Sequence, residues 1–104
     1  MNKAKITVVK RMANLDLAEE YRKEEYNKRF PVPCSLFEDG QEFILENVSS
    51  PPEGFCGWAW VDIHREVVTV MSGGNNGAIK QEGTTITCCT DGFRPVVFKI
   101  ERLD

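Results

Sequence analysis

Four cysteines and a single histidine are the residues of this chain best suited to nucleophilic, redox or metal chemistry: Cys34, Cys56, Cys88, Cys89 and His64. Structural zinc is usually held by ligand pairs two to four residues apart, because one loop then fills two tetrahedral corners. That spacing is missing here. Adjacent residues of a strand point to opposite faces, so only one of Cys88 and Cys89 can join a common site. His64 would lie about 12 Å along a helix from Cys56, too far for both to hold one ion. A thiol site for metal or redox chemistry, built from Cys56 with Cys34 and Cys88 or Cys89, stays geometrically open. Buried structural thiols are the plainer alternative.

Cys56 is the best candidate nucleophile, because a helix N-terminus offers unpaired amides and a dipole that favour a thiolate. Against this, Cys56 falls on an apolar stripe, where it would act as a small core residue. His64 is the natural acid or base near neutral pH. No carboxylate is spaced to orient it, since Asp62 is two residues away on a helix and faces elsewhere, so no triad is readable. Gly73-Gly74-Asn75-Asn76-Gly77 follows a helix C-terminus, the wrong dipole end for a phosphate.

Composition narrows the classes. The chain has 104 residues, 41% of them apolar, and its 13 basic and 16 acidic residues give a net charge of −3. That length predicts a single domain, residues 1–104, able to fold without staples. Interspersed charges of net negative sign argue against a nucleic-acid partner. The stretch before Lys10-Arg11 is too short in apolar residues for a signal peptide, and nothing approaches the roughly 18 apolar residues of a membrane span. A cytoplasmic location with reduced thiols is therefore expected. No cofactor can be named from these residues.

The elements that must position the thiols follow from periodicity. Lys5 to Lys10 reads as a strand, with β-branched residues on both faces predicting burial on both sides. Asn14 is placed to cap a helix from Leu15 to about Asn27, with Leu17, Ala18 and Tyr21 on its inner face and Glu19–Lys23 and Glu24–Lys28 pairs outside. Arg29 to Cys34 carries two prolines and must be extended. Gln41 to Glu46 is a second strand, with Phe43 and Leu45 on one face.

A long helix is predicted from about Phe55 to Met71, ended by Ser72-Gly73-Gly74. At about 100° per residue, Cys56, Ala59, Trp60, Ile63, Val67, Val70 and Met71 share one face. Trp58, Val61, His64 and Val68 form an adjoining band, leaving Asp62, Arg65, Glu66 and Thr69 as a narrow polar stripe. The helix is thus expected to be covered on most sides. Its outer band is the candidate surface for a homo-oligomer or another partner.

Thr84 to Cys89 and Pro95 to Glu101 read as a hairpin. A three-residue loop, Thr90-Asp91-Gly92, opposes Ile86 to Val96 and Thr84 to Phe98 and joins the apolar faces. Cys88 then points to the core and Cys89 away. The predicted class is α+β: a small, mainly antiparallel twisted sheet or half-barrel of about four strands packed on one long central helix, with a peripheral N-terminal helix.

Gly54-Phe55-Cys56-Gly57-Trp58-Ala59-Trp60, followed by Cys88-Cys89-Thr90-Asp91-Gly92-Phe93-Arg94-Pro95-Val96-Val97-Phe98-Lys99-Ile100-Glu101, resembles an uncharacterised family of small microbial proteins found as single domains or tandem repeats. The opening Lys5-Ile6-Thr7-Val8-Val9-Lys10-Arg11 and Cys34 with Phe37, Gly40, Gln41 and Phe43 also fit, so the likeness spans nearly the whole chain. The resemblance implies no mechanism. It does place Cys34, Cys56 and Cys88-Cys89 in the family's cysteine-bearing motifs, which favours the thiol or metal reading. The leading expectation is a non-catalytic domain that self-associates or binds a partner through its long helix, with the thiol site as the alternative.

Overall fold

In the computed structural model, which describes residues 1–103, β1 (Lys3–Arg11) runs through the middle of the sheet. Ala4, Ile6 and Val8 are fully buried on one face, while Val9 is about half exposed. Burial of β1 on both sides is thus corrected. The sheet is a single layer with one covered face, and its other face carries ion pairs such as Lys5 with Glu42 and Glu101. Val9 is the extra residue of a bulge, since Val8 opposes Phe98 and Lys10 opposes Val97.

β2 (Glu42–Leu45) pairs with β1 after the Asp39-Gly40 turn, where Gly40 adopts φ +83°. Phe43 and Leu45 point inward, as the alternation predicts. The four strands are antiparallel in the order β2-β1-β4-β3, with β3 at Thr84–Cys88 and β4 at Val96–Leu103. α3 (Gly57–Met71) links the two edge strands across the covered face. This is the predicted α+β class, with an open sheet rather than a half-barrel.

The N-terminal helix is two pieces, α1 (Leu15–Tyr21) and α2 (Glu24–Arg29), not one. Arg22 and Lys23 between them are extended, with ψ 137° at each. Side chains stabilise the break: Asn27 Nδ2 donates to the Ala18 carbonyl at 3.0 Å, and Arg22 Nη1 donates to the Phe30 carbonyl at 2.7 Å. The Glu24–Lys28 pair forms, but Lys23 lies beyond the end of α1, and no Glu19–Lys23 pair occurs among the described residues. Only Ala18 of the predicted inner face is buried. Asn14 makes no side-chain cap; its Nδ2 donates to the Gly92 carbonyl at 2.7 Å.

α3 buries Ala59, Trp60, Ile63, Val67, Val70 and Met71, the predicted stripe, against the sheet. Its outer band is less covered than expected, because nothing packs over Trp58 and Val61, which are 70% and 76% exposed. Phe55, just ahead of the helix, packs against Phe37, Phe43, Trp60 and Phe98 at ring-centroid distances of 5.1, 5.0, 6.2 and 5.4 Å. Such pairs add directional energy to ordinary burial. This aromatic cluster fixes where the first turn of α3 lies relative to the sheet.

Candidate functional site

Three of the four cysteines border the same cleft. Cys34, Cys56 and Cys89 line a cleft of about 450 Å³ at the end of the sheet nearest the α3 N-terminus. Four chain segments build it: Arg22 at the end of α1, Cys34 with Leu36 and Phe37 from the connector, Cys56 with Trp58 and Ala59 from the start of α3, and Cys89 through Val96 from the β3–β4 loop. The size suits a small organic molecule.

Each thiol is held by its own local structure. Cys34 follows the cis Val32–Pro33 peptide and is buried, its carbonyl accepting from Arg11 Nη1 at 3.0 Å. Cys56 occupies the N-cap position of α3, just outside the helix, and is half-buried against the core, whereas its place on the apolar stripe predicts burial within it. Cys89 is buried on the core side, and its sulfur accepts the Val96 amide at 3.3 Å.

The strand pair is reversed from the expected orientation: Cys89 faces the core, and Cys88 is exposed on the opposite side of the sheet. The register explains it. Ile86 opposes Lys99, Thr87 opposes Phe98 and Cys88 opposes Val97, so Thr85, Thr87 and Cys89 share the face of Phe98 and Ile100. Thr85, buried there, accepts from Asn76 Nδ2 at 3.1 Å. The connection is also wider than a three-residue turn. Asp91 organises it by accepting from the amides of Phe93 and Arg94 at 3.0 and 3.3 Å and from Arg94 Nε at 3.0 Å.

Those contacts hold the Asp91 carboxyl below its ordinary 3.8: burial alone would raise it, but the Arg94 guanidinium and the two amides outweigh burial. Arg94 also lies over the Phe30 ring, 5.7 Å from its centroid, and Arg22 over Phe93 at 5.4 Å. Two guanidiniums and the Asp91 carboxylate therefore edge a cleft whose walls are otherwise aromatic, aliphatic and thiol. Arg22 is not marked by sequence. Arg22 sits in what reads as a solvated helix face, and only tertiary packing brings it beside Phe93. Asp91 and Arg94 do carry a local signal, an acceptor followed by a cation three residues later.

The remaining candidates lie elsewhere. His64 Nε2 donates to the Val48 carbonyl at 2.7 Å, because a carbonyl can only accept, and the ring packs edge-on to Trp60 with centroids 5.2 Å apart. It is not part of the cleft lining. Val61 is exposed and Val68 partly buried on the outer side of α3, whereas Trp58 belongs to both that side and the cleft rim. Among the described residues, no three His, Cys, Asp or Glu side chains are gathered closely enough to hold a metal ion. Among the described residues, no helix is long and apolar enough to cross a membrane. No family model, curated protein or solved structure matches this chain.

Proposed function

We propose that this chain is a binding domain whose working site is the three-thiol cleft, where a small, largely apolar molecule sits in contact with Cys34, Cys56 and Cys89. The observation that carries this reading is the convergence of those cysteines, from three distant parts of the chain, on one cavity. Cys34 and Cys89 belong to the hydrophobic core where it borders the cleft, and half-buried Cys56 is the thiol most open to it. Sulfur is polarisable and favours contact with flat, apolar ligands. The site is also organised in advance, because the loop carrying Cys89 is tied down by Asp62 and Asp91. The setting that suits it is reducing and cytoplasmic, with all four cysteines free.

The test uses N-phenyl-1-naphthylamine, a neutral aromatic fluorophore. Saturable binding at one site should slow alkylation of Cys56 and leave exposed Cys88 unaffected. Equal protection of both, or of neither, overturns the assignment.

A second reading, self-association through the outer side of α3, is favoured by the exposure of Trp58 and Val61 three residues apart. Sedimentation at micromolar concentration tests it. A dimer abolished by Val61→Lys supports an interface there, and monomer throughout removes it.

A further inference from the structure

We infer that the ligand of this cleft is an organic anion, an aromatic carboxylate whose ring lies against the apolar wall and whose charge is met by Arg22; this rests on the cleft being the binding site. The cleft-lining side chains include two guanidiniums and one carboxylate in a chain whose net charge is −3. The carboxylate, Asp91, is already bonded to Arg94 at 3.0 Å, which leaves the local excess of positive charge on Arg22. Among the described residues no carboxylate pairs with Arg22. Its Nη1 donates to two neutral oxygens, of Phe30 at 2.7 Å and of Asn27 at 3.4 Å.

Arg22 is half-buried, so an anion entering the cleft would meet its charge with part of the solvent already excluded. Arg22 is also pre-oriented. Its Cζ lies 5.4 Å from the Phe93 ring centroid and the Phe30 carbonyl holds Nη1, so Nε and Nη2 remain as donors. A planar fork of donors matches a carboxylate better than a point anion. Phe37, Phe93 and Trp58 supply flat surface for an aromatic body.

The experiment compares 2-naphthoate with its neutral isostere 2-naphthamide, each displacing N-phenyl-1-naphthylamine from the wild-type protein and from Arg22→Gln and Arg22→Lys. The naphthoate should bind the wild type about tenfold more tightly than the amide, a gap of the size that a charge-assisted hydrogen bond gives. Arg22→Gln should erase that preference, read as the ratio of the two affinities within the same variant, and Arg22→Lys should restore part of it. Circular dichroism identifies a variant that has not folded, and the wild-type comparison of the two ligands stands without any variant. If the fluorophore binds and protects Cys56 but acid and amide displace it equally, anion selection is overturned while the cleft assignment survives. If neither ligand nor the fluorophore protects Cys56, both are overturned.

Discussion

The carboxylate of Asp62, on the second turn of α3, accepts both the backbone amide and the hydroxyl of Thr90, at 2.8 and 3.0 Å. The same hydroxyl oxygen accepts the indole N–H of Trp58 at 3.1 Å. One threonine thereby fastens the β3–β4 loop to the helix that forms the opposite wall of the cleft. Asp62→Ala removes the one oxygen, Oδ2, that accepts both bonds and leaves the Thr90 amide to water. Because the contact is near the surface, the expected loss is about 1 kcal/mol, a fall in Tm of roughly 4–8 °C for a domain of this size. Fluorophore affinity should fall as well, since the loop that carries Cys89 and Arg94 loses its anchor. Unchanged melting and binding together would show that the clamp holds nothing.

Thiol accessibility gives a direct check on the strand register. Cys88 is exposed, Cys56 half-buried, and Cys34 and Cys89 are 6% and 8% exposed. Brief treatment of the native protein with iodoacetamide, followed by peptide mass spectrometry, should label Cys88 first, Cys56 more slowly, and Cys34 and Cys89 only on the timescale of local opening. Rapid labelling of Cys89 with protection of Cys88 would restore the opposite register.

That register shows what the sequence could and could not convey. The long helix was legible because seven apolar positions repeat with one period, and its buried face matches the pattern residue by residue from Ala59 to Met71. β2 was legible through Phe43 and Leu45 for the same reason. The hairpin was not, because counting apolar partners presumes a tight turn. Here side chains from outside the hairpin decide the outcome: Asp62 holds Thr90, Asn76 satisfies Thr85, and Ile86 is left about half exposed. The helix break at Arg22 was equally hidden, since it depends on Phe30 and Asn27 folding back. Of the cleft, the sequence could name its thiols as candidates but not gather them, because their meeting depends on that register.

Asp91 makes stability depend on pH with a definite sign. Its folded-state carboxyl lies below the ordinary 3.8, so its contribution is fully present above that value and is lost as the pH falls through the folded one. Urea melts of the wild type and Asp91→Asn should therefore differ by a constant amount from pH 7 to 5. The difference should shrink below about pH 4. A gap as wide at pH 3 as at pH 7 would assign the effect of the substitution to packing instead of charge.

At the far end of α3, where the amides of Ser72, Gly74 and Gly73 already bond the carbonyls of Val68, Thr69 and Val70, Arg102 adds charged side-chain donors. Its Nη1 donates to the carbonyls of Val70 and Gly74, both at 2.8 Å, and its Nη2 to Asn75 Oδ1 at 2.9 Å. The carbonyls of a last turn have no partners within the helix, and a cation there also complements the negative end of the dipole. Gly73, at φ +93°, turns the chain so that these acceptors converge. Arg102→Met keeps the aliphatic stem and removes every donor, at an expected cost of about 1.5–3 kcal/mol in urea unfolding. Arg102→Lys should recover only part of this, because one ammonium cannot span acceptors that the planar guanidinium reaches together. α3 is about 20 Å long, so the cleft lies beyond the reach of the lost contacts. Fluorophore affinity measured well below the melting temperature should match the wild type in both variants. A parallel loss of affinity would mean that the sheet transmits the disturbance to the thiol cleft.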